Sequence, residues 1–519
     1  MTGVRSFIRG WPIAGLACAL IALGGCQLAP HYSPPRYSLP ETYQGSGFFT
    51  VAHPRDTLPR GPWWEAFGDP LLNKLEQQLD SENPSLAAYA EQYTQARDLA
   101  AIARSRLYPQ VSANAGASKN KESQNALFRF PNAVVPLIEP QTQFGAGATW
   151  EPDFWSELRN ATRQQERLAQ SSAALVASAR LSLEGQLAND YIALRGFDAQ
   201  DAYYREAVAN YQTSVRITTL RLGQKIGSGL DVARSESLLA STQALEKATL
   251  ASRAVLQHAI AVLVDANPST FVIPEDARMQ VTAPATPFGA PSQLLERRPD
   301  IASAERQMAA ANAGIGVARA AFYPNVTISA TGGFEDTGVF ALATVPNTLW
   351  SVGASVTEPI FEGGLRRAQL QQSWSLYAQT RDNYRATVLA AFQEVEDGLA
   401  LTALFQTQVQ YQQRSAAEAT RAENLALQLY VGGLTSYVDV VVAQDTALVA
   451  SITEIQDQVG RLQASVNLIL ALGGGWNAAD LPTEKGVQPF APLDLTANRR
   501  PPRPDGTGNG PKEASTPPP

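Results

Sequence analysis

The chain has 519 residues, 45% hydrophobic and 17% charged, a low charge content beside the ~25% of average globular domains. Its formal net charge is -7, from 48 acidic against 41 basic residues, which argues against a nucleic-acid binder. Two cysteines, both at or before residue 26, and three histidines exclude a Cys/His metal cluster and any disulfide in the body.

Arg5 and Arg9 precede an apolar run from Trp11 to Leu23, so residues 1–25 read as a secretory signal. The run ends in Leu23-Gly24-Gly25-Cys26, which resembles a bacterial lipobox. The alternative is an ordinary cleaved signal with an incidental cysteine. Cys18 is a poorer candidate, because Gly15 stands three residues before it. Cys26 is the expected acylation site, where chains anchor through about 0.8 kcal/mol per buried methylene. Gln27, rather than Asp, follows it, and this predicts sorting to the outer membrane. Residues 26–61 are rich in Pro, Ser and Tyr without periodicity and read as an extended, lipid-anchored tether.

No later stretch approaches the ~20 apolar residues of a membrane helix, so any crossing must use strands. Pro62-Trp63-Trp64-Glu65-Ala66-Phe67-Gly68 leads into Asp69-Pro70, the chemistry of a helix start. The body is then built twice, over 62–272 and 273–476. Pro84 opens an Ala-rich segment that ends at Tyr108-Pro109, and Pro299 opens another that ends at Tyr323-Pro324. Glu151-Pro152 is matched by Glu358-Pro359, and Gly227-Ser228-Gly229-Leu230-Asp231-Val232 by Thr435-Ser436-Tyr437-Val438-Asp439-Val440. The offsets are 215, 207 and 208, so the stretch between the first two landmarks changes length by eight residues.

Each copy reads helix, two strands, long helix, turn, helix. Strands are expected at about 110–120, 142–152, 325–334 and 348–358. They alternate with period two: Val111, Ala113 and Ala115 against Ser112, Asn114 and Gly116, and Trp350, Val352 and Ala354 against Ser351, Gly353 and Ser355. Membrane strands of about 9–11 residues alternate in this way. A half-buried soluble sheet would alternate too, and the lipobox and duplication favour the membrane. Four strands cannot close a barrel, and an open edge in lipid leaves backbone groups unpaired at several kcal/mol each. The chain must therefore oligomerise: a trimer supplies twelve strands, a dimer eight.

The helical hairpins are expected at about 156–265 and 363–472. From Ser156 to Leu222 and from Leu365 to Val431 there is no proline, which allows helices of roughly 100 Å. Apolar residues recur narrowly at Leu183, Leu187, Tyr191 and Leu194, and at Val388, Phe392, Val395 and Leu399, a stripe that demands partner helices. Both turns combine helix stops with N-caps. Asp231 and Asp439 fall in the first turn of the return helices, where a carboxylate suits the dipole. In a symmetric assembly either would repeat as a ring of carboxylates able to select cations or narrow a pore. Gly473-Gly474-Gly475-Trp476 is a hard stop. Residues 477–519 close the chain, with a Pro-rich tail from about 499 that is expected to be disordered.

The pattern resembles the TolC-like outer-membrane efflux factors, in their NodT-type lipoprotein subgroup. The match is carried by Trp63-Trp64 with Phe67 and Asp69-Pro70, and by Glu296-Arg297-Arg298-Pro299-Asp300-Ile301. Ala318-Arg319-Ala320 before Tyr323-Pro324, and Leu472-Gly473-Gly474-Gly475-Trp476, extend it over about Gln27 to Trp476. The resemblance implies an α+β membrane fold: a homotrimer with a 12-strand β-barrel continuous with a 12-helix periplasmic α-barrel. It also implies turn ends that are closed at rest and dock a periplasmic adaptor linked to an inner-membrane RND-type pump. Gly227, Ser228 and Leu230 correspond to the first adaptor-docking turn, with Asp231 behind them, and Gly432, Ser436 and Tyr437 to the second. The family commonly carries a pore-facing Asp before Ala-Gln. Here Val442 precedes Ala443-Gln444 and Asp439 stands one turn earlier. The gate is then a carboxylate ring at Asp439 and Asp231 or an apolar constriction at Val438 and Val442.

The implied function is passive export of small molecules, in a protein that is no enzyme, needs no cofactor or metal and binds no nucleic acid. No phosphate loop, His-Glu-x-x-His or Gly-x-Ser-x-Gly occurs, and His31, His53 and His258 are scattered. The competing reading is a lipid-anchored coiled-coil rod or adhesin without a pore.

Overall fold

The computed structural model describes residues 27–35, 62–121, 123, 138–278, 281–284, 297–338 and 342–489. Cys26, the signal, most of the tether and the tail from 499 lie outside these residues. A 3-10 turn at Trp63–Phe67 opens the body, followed by helices α1 (Pro70–Glu82) and α2 (Pro84–Ser105) and strands β1 (Gln110–Lys121) and β2 (Ile138–Trp150). Helices α3 (Glu157–Gly223) and α4 (Gly229–Leu263) form the first hairpin. Then come α5 (Pro299–Ala320), β3 (Asn325–Asp336), β4 (Thr348–Thr357), α6 (Leu365–Val431) and α7 (Tyr437–Ala471).

The duplication is visible in the element lengths. Both α2 and α5 have 22 residues, β1 and β3 have 12, α3 and α6 have 67, and α4 and α7 have 35. The helices α3 and α6 start at 157 and 365 and end at 223 and 431, an offset of 208 throughout. The connecting stretch therefore shortens by seven residues, not the eight read from Glu151 and Glu358. Strand pairing agrees, because Gln110 faces Thr149 while Asn325 faces Thr357.

Local chemistry sets the helix ends. The Asp69 carboxylate accepts from the backbone N–H groups of Leu71 and Leu72 at 2.8 and 3.2 Å, with Pro70 at the first helical position. Asn83 caps α2 through the Leu86 N–H at 2.8 Å and donates to the Leu263 carbonyl at 2.7 Å, pinning the α1–α2 corner to the end of α4. Asp153 accepts from the N–H groups of Leu158 and Arg159 at 3.1 and 2.9 Å at the start of α3.

The strands form one antiparallel sheet in the order β1-β2-β3-β4. Its register aligns Val111, Ala148, Ala330 and Val352 in one row, and Ala115, Phe144 and Phe334 in another. The opposite face carries Ser112, Gly147, Thr331 and Ser351. One face is thus apolar and the other polar. Among the described residues, β1 and β4 are edge strands with no partner on their outer sides. No helix among the described residues is long and apolar enough to cross a membrane.

Away from the sheet the hairpins pack along α3, which contacts α4 and α7. At about 100 Å for 67 residues, α3 and α6 are rods. The main core gathers Phe67, Leu72, Leu79, Leu187, Tyr191, Leu194 and Ile260 in a belt part-way along them. Two interior glycines of α3 mark where α7 comes closest: Gly185 lies under Leu470 and Gly196 under Val459. The glycine stop is geometric, because Gly473, Gly474 and Gly475 all have positive φ, at 93°, 57° and 95°. A side chain at 473 would strike the Arg297 carbonyl, and one at 474 would strike Leu181. Arg298 closes this junction. It grips Asp300 through two hydrogen bonds of 3.0 and 2.7 Å, Glu394 at 2.5 Å and the Ala471 carbonyl at 3.1 Å.

Candidate functional site

The turn ends of the two hairpins lie together at the far end of the rods. In the first, α3 stops at Gly223, Lys225 takes positive φ (58°), and the Ser228 hydroxyl accepts from the Leu230 N–H at 3.1 Å. In the second, Gly433 supplies the positive φ (74°). Ser436 and Asp439 then form a reciprocal capping box. Asp439 accepts from the Ser436 N–H at 3.2 Å, from the Ser436 hydroxyl at 2.9 Å and from the Thr435 hydroxyl. These donors hold its carboxyl below the usual range. Its side chain is thus committed to starting α7.

The expected docking residues separate into two groups. Leu230 is exposed, as are Gly432, Ser436 and Ser228, with Gly227 half-buried between them. Ile226 and Leu434 also protrude. Tyr437 is a correction: only 2% exposed, it packs edge-on to Tyr430 with ring centroids 5.1 Å apart, beside Val440. It supports the turn from within and offers no surface.

Val438 and Val442 are exposed on α7, and the same face continues through Asp445 and Val449. These positions follow helical spacing and form one stripe. Asp445 was not singled out from the sequence. Its signal was its place directly after Ala443-Gln444, on the other side of the dipeptide from the position expected to be acidic. Asp231 is half-buried. Burial first, and the nearby Asp231 second, push the Tyr430 phenol up.

Arg221 was also missed, since a basic residue in the last turn of a helix reads as a dipole partner. It crosses from α3 to the end of α6. There it donates to the Tyr430 and Val431 carbonyls at 2.8 and 3.2 Å, with its guanidinium 4.6 Å from the Tyr430 ring centre. Two to three turns higher, Gln444 donates to Ser214 at 3.1 Å and accepts from Tyr211 through its backbone carbonyl at 3.1 Å. These bonds latch the two hairpins of one chain to each other near the tip.

At the other end, the tether residues lie along α5. Arg319 donates to the Leu28 carbonyl at 3.0 Å, Asn312 to the Pro30 carbonyl at 2.9 Å, and Tyr32 to Glu305. Traced backwards from Tyr32, the segment climbs α5 toward the start of β3. Gly316 makes room for it, since a β-carbon there would lie 2.8 Å from that of Ala29.

A helical rod of two hairpins joined to a four-stranded sheet with one apolar face and two open edges defines a class: outer-membrane channels assembled from several chains. The chain belongs to the outer membrane efflux protein family, whose match covers residues 75–263 and 290–474. It is 31% identical over 467 residues to the pyoverdine export outer membrane protein OpmQ of Pseudomonas aeruginosa, covering 89% of this chain and 97% of that one. It is 28% identical over 479 residues to the solvent efflux pump outer membrane protein SrpC of Pseudomonas putida, covering 89% and 98%. The solved structure of the outer-membrane channel OprN superposes with a TM-score of 0.80 at 26% identity, covering 87% of this chain and all of that one. The protein is therefore an outer-membrane efflux channel, and the pore-free rod is not favoured.

Proposed function

We propose that three copies form a passive duct carrying small molecules from the periplasm to the exterior, docked to a periplasmic adaptor and an RND-type inner-membrane pump. The observation that carries the proposal is the sheet: one apolar face with both edges unpaired. Three such sheets give a twelve-strand barrel with no lipid-exposed edge. The energy of transport comes from the pump, since the duct supplies only a path. Relatives named for pyoverdine and for solvents differ so widely in cargo that the duct is read as unselective among small molecules.

The docking surface for the adaptor is assigned to Gly227, Ser228, Leu230, Gly432 and Ser436, joined by Ile226 and Leu434. The constriction is assigned to the α7 stripe, with Val438 and Val442 as apolar rings and Asp445 about one turn further from the tip. Asp231 remains the carboxylate of the first hairpin. Asp439 acts on the gate through the helix it caps. Lipidation at Cys26 is supported by the tether's climb along α5 from Glu305 at Tyr32 to Arg319 at Leu28, in the direction of β3. Loss of radiolabelled palmitate from the Cys26→Ser variant, with wild-type labelling retained, is the expected check.

The experiment for the duct is single-channel recording in planar bilayers. The wild type should give rare, discrete steps. Arg221→Leu removes the latch at the tip and should raise resting open probability at least several-fold in an assembly of unchanged size. A silent bilayer for both would return the rod to first place.

A further inference from the structure

The tether and the upper helices enclose a cavity that the duct does not use. It measures about 280 Å³ and lies between α3, α5 and the residues that follow Cys26, with Asn160, Arg163 and Arg167 on one wall, Asn312 on another, and the exposed His31 beside them. No carboxylate lines it, although the chain has seven more acidic than basic residues. The acidic neighbours are already committed: Glu484 accepts from Arg167 at 2.6 Å, and Glu305 accepts from Tyr32 and stands 2.7 Å from Arg306. Arg163 is not committed. It is exposed, makes no ion pair among the described residues, and has as its one hydrogen bond there a long contact of 3.5 Å to the Asn160 carbonyl oxygen. Asn160 itself is fully buried, and its amide nitrogen has no hydrogen-bond partner. An unpaired buried donor favours an acceptor beside it.

We infer that this cavity is a binding site for the phosphodiester headgroup of a membrane lipid, with Arg163 as the group that recognises it. A guanidinium presents a planar fork of donors that matches phosphate oxygens. Three observations favour a lipid as the source of the phosphate. The cavity begins at Gln27, the residue after the expected acylation site, so the inference rests on the anchor reading. Its height is that of the membrane surface: Arg163 is six residues into α3, within about 10 Å of the end that faces the sheet. Aromatic side chains collect near that end, as they do where a barrel leaves the lipid. Trp155 stacks on Tyr323 with ring centroids 4.7 Å apart, and Arg319, which holds Leu28, lies 5.4 Å from the ring centre of Trp374. The site also stays open on assembly. The upper helices pack in the row α2, α3, α5, α6, so copies joined through β1 and β4 meet at α2 and α6, and the groove between α3 and α5 lies in mid-row.

The test is a titration of the full-length protein, in a neutral detergent, with dihexanoyl phosphatidylglycerol, read by native mass spectrometry and calorimetry. The wild type should take up one lipid per chain saturably. Arg163→Gln should weaken binding about tenfold and Arg163→Glu at least as much, with melting temperatures unchanged because the side chain is exposed. Two further probes separate the sources. Dihexanoylglycerol, with the same tails and no phosphate, should not bind. Inorganic phosphate should compete only in large excess. Equal lipid binding by the wild type and Arg163→Gln, or equal binding of dihexanoylglycerol, would overturn the site. Inorganic phosphate that binds as tightly as the lipid, and is lost in Arg163→Gln, would overturn the lipid as its source. A wild type without palmitate would remove the anchor reading, whereas palmitate-bearing protein that takes up no phosphatidylglycerol would remove this site alone.

Discussion

Asp198→Ala should cost the folded chain about 3–5 kcal/mol, the penalty for stripping the partner from buried charge. Asp198 lies in α3 with its side chain 1% exposed, between Arg195 at 2.8 Å and Arg253 at 2.5 Å. Arg195 also donates to the Pro274 carbonyl at 2.7 Å and to Tyr191, which donates in turn to Asp69 at 2.7 Å. Arg253, from α4, donates to the Ile273 carbonyl at 2.9 Å. One carboxylate thus joins α3, α4, the chain after α4 and the cap of α1. Its removal leaves two guanidiniums buried with carbonyls and a phenol. Replacing Asp198, Arg195 and Arg253 together by Leu, Met and Met should recover much of the loss, because buried ion networks are often matched by apolar packing. Thermal unfolding of the detergent-solubilised protein reads both. If the single and triple variants melt alike, the cost comes from packing rather than stranded charge.

That network shows where sequence reading stops. The long helices, their ends and the strands were legible because period, proline absence and turn residues are local signals, repeated twice. The offset of 207 at Glu151 and Glu358 misled by one residue, since matched letters outside an element do not fix its register. Arg195, Asp198 and Arg253 carry no local signal. They become a unit only when α4 folds back on α3, and a charged residue on a long helix is by default a solvated one. Gly185 and Gly196 carry no local signal either, and it is packing that makes them sockets for Leu470 and Val459 of α7. At the tip the chemistry of capping was visible in Ser228, Ser436 and Asp439. The inward turn of Tyr437 and the reach of Arg221 to another helix's carbonyls depend on how two hairpins meet.

Glu76→Gln should stabilise the protein at neutral pH and flatten its dependence on pH. Glu76 is fully buried on α1 among Leu72, Leu75 and Leu79, and neither carboxylate oxygen has a hydrogen-bond partner. Burial first, then Glu184 and Asp80, push its carboxyl up to about 10. Across the contact, Glu184 accepts from the Trp63 indole at 2.9 Å and is itself pushed up to about 7, chiefly by burial. Arg180 stands 3.4 Å from Asp80 and is the basic group of this corner. The folded chain therefore keeps a proton on Glu76 that the unfolded chain releases above about 4.5. The folded pKa is the higher one, so stability is greatest below the unfolded value and declines as pH rises toward the folded one. By pH 7 the accumulated loss is about 3 kcal/mol, at ~1.4 kcal/mol per pH unit for one proton. Glutamine keeps the shape, carries no proton to lose, and can donate its amide to Glu184. Melting temperatures between pH 5.5 and 8.5 should fall for the wild type and change far less for the variant, with Glu184 supplying the slope that remains near pH 7. Parallel curves would mean that water reaches Glu76 and that the belt around α1 is looser than its packing indicates.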